Sequence, residues 1–419
     1  MLAVAAAGLL IWATSDRSAT HSTTAAAPEQ PLDPPSEMPA KLTELWRAAS
    51  AATPEPVAAG ATVVTGDGGA VVGRDALTGR QRWAYQRDLP LCTVGAGFSD
   101  AVAMYSSEGP VGAGCSEVTK LDIDTGDRAA QHNGDAQPGT RLLSDDEHLL
   151  VTGETLINVW SRDLIRTMEY GTVPAPVEPN RQPRSGCRYG SITIADGKVG
   201  VIERCPGDDG ARLTVFETTN TVDGETRSDE PKVRFSEVLP DQDARVIAIA
   251  GKAGDEEDEA DADSDETDED KDAEDRFLIA VAFEDPQRLM IYDEKGKRRA
   301  QYALDLPEGE LSGDPEDQVV PVSRTEEGIH WFTGSATIAL AADDLMPQWT
   351  LRSTVGPTTR FAGQTLQPIR DGLAVIDENT GKVRRTVSVD RDDYRGPVTL
   401  GSLGPVLLEQ RGETLVALR

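Results

Sequence analysis

Cysteine, histidine and grouped carboxylates do most of the chemistry that a protein performs without a cofactor. This chain has four cysteines and four histidines, with no Cys-x-x-Cys pair and no Cys/His grouping at zinc-ligand spacing. His132, His148 and His330 each stand alone, which favours packing or surface roles over catalysis. The sequence also lacks a Gly-x-Ser-x-Gly elbow, a His-Glu-x-x-His motif and a phosphate loop. We therefore assign no catalytic residue, no metal ligand and no cofactor.

The four cysteines fall in two close pairs, Cys92 with Cys115 and Cys187 with Cys205. Four cysteines permit three connectivities, and the local one is favoured because each pair flanks a turn between predicted strands. Four buried free thiols are the alternative. Since disulfides persist in oxidising compartments, the favoured pairing predicts an extracytoplasmic protein.

The carboxylates are concentrated in one block. The chain has 72 acidic and 41 basic residues, a net charge of −31, and residues 255–275 hold 15 acids and one lysine. A chain this acidic is unsuited to nucleic acids, which are bound by Lys and Arg. Like charge with few apolar residues predicts a disordered insertion over 252–275. Residues 261–266 resemble the start of an EF-hand loop, but Glu266 replaces the glycine, so we expect no specific calcium site.

From residue 41 onward, short β-rich runs alternate with turns. The clearest signal is Asp-x-x-Thr-Gly, followed four residues later by a large side chain in the first copy. The aspartate can bond the turn backbone, the glycine supplies positive φ, and the tryptophan covers the joint between units. The residues given structural roles in this repeat are Asp75, Gly79, Trp83, Asp122, Gly126, Asp377 and Gly381, with Trp349 after a copy that lacks the glycine and Trp46 as an echo of Trp83.

Several strands per repeat, at a period of ~40–50 residues, predict an all-β fold. We expect a single β-propeller over 41–419 with eight four-stranded blades, seven being the alternative. The last three strands, Val398–Leu403, Pro405–Glu409 and Thr414–Leu418, make an incomplete blade. Leu42–Ala48 is expected to supply its fourth strand and so to close the ring.

The segments DALTGRQRW, DIDTG and DENTGKVRR resemble the pyrroloquinoline-quinone-like (quinoprotein-type) β-propeller repeat. That resemblance implies a propeller, but it leaves activity open, because the family includes quinone-dependent dehydrogenases and non-enzymatic envelope propellers. The dehydrogenases often carry adjacent cysteines against the cofactor, and this shorter chain has none. Its composition and layout resemble envelope propellers of actinobacterial type.

The N-terminus resembles an anchor followed by a spacer. Residues 2–13 are an unbroken apolar run, shorter than the ~20 residues of a spanning helix. No basic residue precedes the run, although a signal peptide normally begins with one. A start further upstream would supply the missing basic and apolar residues. We expect 1–13 to be an anchor or signal segment and 14–40 a disordered Pro/Ser/Thr/Ala-rich stalk. The propeller would then be held on the extracytoplasmic side of the cell membrane.

These features predict a membrane-tethered, non-catalytic interaction scaffold of the cell envelope. Its partners would be envelope proteins or a cell-wall polymer, contacted by loops on a rigid framework. The alternative is a propeller that binds a small ligand or quinone in its central channel and acts as an oxidoreductase. Asp, Asn, Arg and Trp converging from the first strands of the blades would favour the alternative.

Overall fold

The computed structural model describes residues 18–109, 112–174, 180–251 and 276–419. The fold is an eight-bladed β-propeller with four-stranded antiparallel blades, which confirms the predicted fold class and blade number. The chain divides into two compact units. They are Met1–Leu142 with Thr359–Gln364 and Val387–Arg419, and Leu143–Thr358 with Thr365–Thr386.

The first unit contains blades 1, 2 and 8, described here from the first to the last strand of each. Blade 1 comprises β3 (Val57–Ala59), β4 (Thr62–Asp67), β5 (Ala70–Asp75) and β6 (Gln81–Arg87), extended by β1 (Thr20–Thr23). Blade 2 comprises β7 (Leu91–Gly97), β8 (Asp100–Gly109), β9 (Gly112–Leu121) and β10 (Arg128–Asn133). Blade 8 comprises β33 (Val398–Leu403), β34 (Val406–Arg411), β35 (Thr414–Leu418) and β2 (Glu44–Ala49).

The second unit contains blades 4, 5 and 6. Blade 4 comprises β15 (Arg188–Ala195), β16 (Lys198–Arg204), β17 (Arg212–Glu217) and β20 (Val233–Val238), with a hairpin of β18 (Thr221–Val222) and β19 (Glu225–Thr226) before the last strand. Blade 5 comprises β21 (Ala244–Gly251), β22 (Phe277–Phe283), β23 (Arg288–Asp293) and β24 (Arg298–Ala303). Blade 6 comprises β25 (Val322–Arg324), β26 (Gly328–Phe332), β27 (Ala336–Ala341) and β28 (Pro347–Arg352), preceded by a 3₁₀ turn at Glu316–Gln318.

The unit boundaries fall within the two remaining blades. Blade 3 comprises β11 (Leu142–Ser144), β12 (Leu149–Val151), β13 (Leu156–Trp160) and β14 (Arg166–Gly171). Blade 7 comprises β29 (Thr359–Phe361), β30 (Gln364–Ile369), β31 (Gly372–Ile376) and β32 (Val383–Ser388).

Burial along a blade explains its sequence pattern. A middle strand is covered on both faces, so β22 reads FLIAVAF and is almost wholly buried. An outer strand is covered on one face only, so β24 reads RRAQYA and alternates between exposed and partly buried side chains. The continuous apolar runs and the alternating runs therefore mark different positions in the same blade.

The two ends of the chain share blade 8. Strand β2 pairs antiparallel with β35, and Trp46 lies opposite Ala417. The sequence predicts this closure with Leu42–Ala48, and the strand observed is Glu44–Ala49. By pairing with β35, β2 forms hydrogen bonds with backbone groups that the three C-terminal strands alone would leave unpaired.

The acidic insertion predicted over 252–275 lies outside the described residues. The strands on either side of it, β21 and β22, pair antiparallel up to Gly251 opposite Phe277. Deleting 254–274 leaves four residues between them, a length that suits a hairpin. The free energy of unfolding should therefore stay the same or rise by no more than about 1–2 kcal/mol, since a shorter loop costs less entropy to close. Urea denaturation of the deletion variant measures this, and loss of folding would contradict it.

The N-terminal segment differs from the expected disordered stalk where it is described. Thr20–Thr23 forms β1 on the outer edge of blade 1, with Thr20 opposite Arg87. Further along, the backbone N–H of Leu32 donates to the carbonyl of Gly60. Hydrogen bonding to a free strand edge compensates for the low apolar content of this segment. The expected anchor, 1–13, lies outside the described residues. In the part of the chain that the structure describes, no helix is long and apolar enough to cross a membrane.

Candidate functional site

The three Asp-x-x-Thr-Gly segments adopt one and the same turn. In each, Oδ1 of the aspartate accepts hydrogen bonds from the N–H and hydroxyl of the threonine, for example at 2.8 and 2.9 Å from Thr125 to Asp122. The glycine N–H donates to the aspartate carbonyl at 2.8 Å in all three copies. The glycines have φ of +70°, +75° and +65° at Gly79, Gly126 and Gly381. The motif therefore encodes the turn between the third and fourth strands of a blade.

A tryptophan from the fourth strand of the preceding blade lies on each of these glycines. Its indole N–H donates to the carbonyl of the residue after the motif aspartate. Trp46 donates to Ala76 at 2.9 Å, Trp83 to Ile123 at 2.9 Å and Trp349 to Glu378 at 2.7 Å. A methyl group added to any of the three glycines would lie 2.6 Å from the indole. Repeat residues that are far apart in sequence thus meet at the joints between blades.

A fourth joint uses a residue that the sequence analysis does not single out. Phe235 in β20 lies against Gly296, which has a φ of +73° and ends the shortened motif that begins at Asp293. Phenylalanine lacks an indole N–H, so this joint has packing without the donated hydrogen bond. The signal available in the sequence was an aromatic residue in a fourth strand before a degenerate turn.

The disulfides join Cys92 to Cys115 and Cys187 to Cys205, which confirms the local pairing. Cys187, Cys205 and Glu203 lie close enough to hold a metal, but the two sulfurs are bonded to each other and offer no thiolate. Glu203 is fully buried and accepts hydrogen bonds from Tyr170 at 2.6 Å and Arg184 at 3.1 Å. Burial and this carboxylate raise the pKa of Tyr170. The cluster is a satisfied structural network.

Three of the first strands, β3, β7 and β33, carry none of the Asp, Asn, Arg and Trp side chains that a channel ligand would favour. In the first unit, β3, β7 and β33 read VAA, LCTVGAG and VTLGSL. In the second, the arginines of β21 and β25 are engaged by backbone carbonyls. Arg245 donates to Ser312 at 3.0 Å and Arg324 to Ile249 at 2.7 Å.

The connection from blade 5 to blade 6, residues 304–321, reaches back across the second unit. Its backbone N–H groups at Gly309 and Leu311 donate to Glu284 in blade 5. Val319 forms a parallel bridge with Ile192 on the first strand of blade 4. Leu311 is fully buried. The connection therefore packs against the first strands of blades 4 and 5, at Ile192 and Arg245. No motif in the sequence predicts this contact.

A cavity of about 180 Å³ opens beside Trp349, between blade 6 and the Asp377–Gly381 turn. Its lining includes Glu327, His330, Trp349 and Glu378. Trp83 is fully buried at its joint, whereas Trp349 is only partly covered. Among the residues that the structure describes, no lysine or arginine lines the cavity. The cavity therefore brings one aromatic residue together with two acidic residues.

His330 is the residue that distinguishes this joint from the other two tryptophan joints. The strand register aligns three rows, which run from the second to the fourth strand of blades 1, 8 and 6. They are Val64–Gly73–Trp83, Leu408–Ala417–Trp46 and His330–Ala339–Trp349. A histidine thus replaces an aliphatic side chain in a buried row.

The environment of His330 keeps its ring uncharged. The side chain is 1% exposed, its Nδ1 lies 2.8 Å from the Thr358 hydroxyl, and its ring centroid is 5.3 Å from that of Trp349. Burial lowers its pKa, against the opposing charge of Glu378, so the imidazole is neutral at pH 7. The sequence alone predicts a packing or surface role for His330. The row that it forms with Ala339 and Trp349 exists only once the strands are paired.

Comparison with known proteins gives one family match and several structural likenesses. Residues 40–169 match the family model described as outer membrane protein assembly factor BamB. No curated protein sequence matches the chain.

Three solved structures match most of the length of this chain. BamB from Moraxella catarrhalis is 12% identical, with 90% of this chain and 99% of that chain covered and a TM-score of 0.49. The computationally designed Ika8 protein is 13% identical, with 89% and 98% covered and a TM-score of 0.53. The dihydro-heme d1 dehydrogenase NirN, in complex with DHE, is 13% identical, with 94% and 73% covered and a TM-score of 0.50. At 13% identity, the similarity to Ika8 and to NirN concerns the fold alone. The TM-score of 0.49 for BamB from Moraxella catarrhalis supports no conclusion about this chain.

Proposed function

We propose that this protein is a non-catalytic interaction scaffold of the cell envelope, tethered to the membrane by its N-terminal segment and binding a protein partner. The observation that carries the proposal is the match of residues 40–169 to the assembly-factor family. A propeller suits this role because rigid blades present loops at fixed positions. The two disulfides support an oxidising location.

The partner is tested by cross-linking the tagged protein in intact cells and purifying it from envelope membranes. The expected result is one envelope protein, recovered at near-equal amount and lost when excess untagged protein competes. A cell-wall polymer recovered instead would change the partner class. A bound quinone or sugar without a protein partner would overturn the scaffold function in favour of the channel-ligand alternative.

The location is tested separately with a tag after Arg419. Protease added to cells whose outer layers are permeable, but whose cytoplasmic membrane is intact, should remove the tag. A cytoplasmic marker protein should survive in the same sample. A tag that is cut only after membrane lysis would contradict the extracytoplasmic placement.

A further inference from the structure

We propose that one end of blade 1 is held facing the lipid surface of the membrane. This end, called the near end below, carries the turn at 68–69 and the exit from the blade at 88–90. The inference rests on the proposed function for the anchor itself, and it deepens that function by giving blades 1 and 2 an orientation. The contacts of residues 18–32 carry it, because they follow blade 1 instead of forming a free spacer.

The N-terminal segment meets blade 1 at the near end. Strand β1 pairs antiparallel with β6, and its first residue, Thr20, lies opposite Arg87, the last residue of β6. Just before this strand, the carbonyl of Ala19 accepts a hydrogen bond from the N–H of Asp88 at 3.1 Å. The chain that arrives from the N-terminus therefore reaches the blade where β6 leaves it.

Beyond β1, the same segment is held at the opposite end of the blade. The N–H of Ala25 donates to the carbonyl of Thr125 at 2.8 Å, and the N–H of Leu32 donates to that of Gly60 at 3.3 Å. Leu32 also lies so close to Gly404 that a methyl group added there would overlap it. With contacts on both sides of it, β1 cannot swing away as part of a free spacer would.

The number of residues between the apolar run and β1 limits how far the near end can lie from the membrane. The apolar run ends at residue 13, and the structure describes the chain from Ser18. Five residues span at most about 18 Å when fully extended. A free spacer over 14–40 would instead reach on the order of 90 Å. Ser18, and the near end beside it, must therefore lie close to the point where the chain leaves the membrane.

The β8–β9 hairpin of blade 2 projects from the same end. Strand β8 pairs with β7 as far as Tyr105 opposite Leu91, but it continues to Gly109. The N–H of Ser106 donates to the carbonyl of Pro90 at 2.9 Å, which places the extension beside the near end. Four further residues of a strand add about 13 Å. The extension is shorter than the reach of the tether, so both can meet one membrane surface.

The charge of the near end does not attract it to lipid. Asp67 and Asp88 are exposed there, and anionic lipid attracts basic segments, not carboxylates. The tether holds this end toward the lipid, so the placement should also hold on a zwitterionic surface. The opposite ends of blades 1 and 2, with their Asp-x-x-Thr-Gly turns, then face away from the membrane.

The test compares two fluorescent labels on one strand. Gln86 and Gln81 are both exposed on β6, and Gln81 lies about 17 Å further from the near end. Gln86→Cys or Gln81→Cys carries the donor, since all four native cysteines are paired. The full chain is reconstituted in phosphatidylcholine vesicles with an acceptor on the lipid headgroup. Because of the ~17 Å separation, energy transfer should be at least about twofold more efficient from Gln86→Cys. Equal transfer, or the reverse order, would overturn the placement.

A second pair of variants tests whether β1 sets the orientation. Neighbouring residues of a strand point their N–H groups to opposite sides, so either His21 or Ser22 directs its N–H toward β6. The double variant H21P/S22P removes both groups and should release β1. Transfer from Gln86→Cys should then fall to the level of Gln81→Cys. The control H21A/S22A keeps both N–H groups and should leave transfer unchanged. Unchanged transfer in H21P/S22P would overturn the role of β1.

Flotation of the vesicles separates failure of the anchor from failure of the placement. Protein that does not float with the vesicles lacks a tether, which would overturn the proposed anchor and this placement together. Protein that floats but shows equal transfer from the two labels keeps the anchor and overturns the placement alone.

Discussion

Replacing Glu409 with glutamine should lower the free energy of unfolding by about 3–5 kcal/mol, the usual cost of removing one partner from a buried ion pair. Glu409 is fully buried in blade 8, and Arg391 and Arg411 are each 6% exposed. Arg391 donates to both carboxylate oxygens, at 3.1 and 2.8 Å, and Arg411 donates to Oε2 at 2.8 Å. Both guanidinium groups bind the same carboxylate, so a neutral amide would remove the negative charge that they share. Urea denaturation followed by circular dichroism measures the change.

Two variants separate this effect from a general loss of charge. Glu44→Gln breaks an exposed pair with Arg47 and should cost less than about 1 kcal/mol. Arg411→Met leaves Arg391 and Glu409 as a neutral pair, so it should cost less than Glu409→Gln. The reverse order would show that packing, and not charge balance, dominates this cluster.

The turns and the blade number could be predicted because the information is local. In Asp122–Gly126 the aspartate, its threonine donor and the positive-φ glycine all lie within five residues. Copies of such a turn, each following short apolar strands, indicate a repeat before any contact is known. The closing strand could be predicted for a similar reason. The C-terminal strands are one short of a blade, and Leu42–Ala48 is the strand-like segment left over.

The cavity could not be predicted because it depends on register. His330, Ala339 and Trp349 form a row only when β26, β27 and β28 are paired, and Glu378 joins them from another blade. The same holds for the connection 304–321, whose anchors at Glu284 and Ile192 are distant in sequence. Strand β1 reads THST, a composition that indicates disorder unless an edge is available to pair with. Pattern reasoning succeeds where a motif is self-contained and fails where partners come from other blades.

Replacing Gly126 with alanine should lower the free energy of unfolding by about 2–5 kcal/mol. Two costs add at this position. Gly126 has a φ of +75°, which costs an L residue about 1–2 kcal/mol. The new methyl group would also lie 2.6 Å from the indole of Trp83, which is fully buried, and overpacking of this kind costs about 1–3 kcal/mol. Urea denaturation measures the sum of the backbone cost and the packing cost.

Gly363→Ala isolates the backbone cost from the steric one. Gly363 has a φ of +67°, close to that of Gly126, but nothing lies within 4 Å of the position that a methyl group would take. Its replacement should cost only about 1–2 kcal/mol. The difference between the two variants is then the cost of displacing Trp83 from the joint between blades 1 and 2. Gly381→Ala should resemble Gly126→Ala, since its methyl group would also lie 2.6 Å from an indole, that of Trp349. Equal costs at Gly126 and Gly363 would mean that the tryptophan moves freely, and the tryptophan joints would then contribute little to holding the blades together.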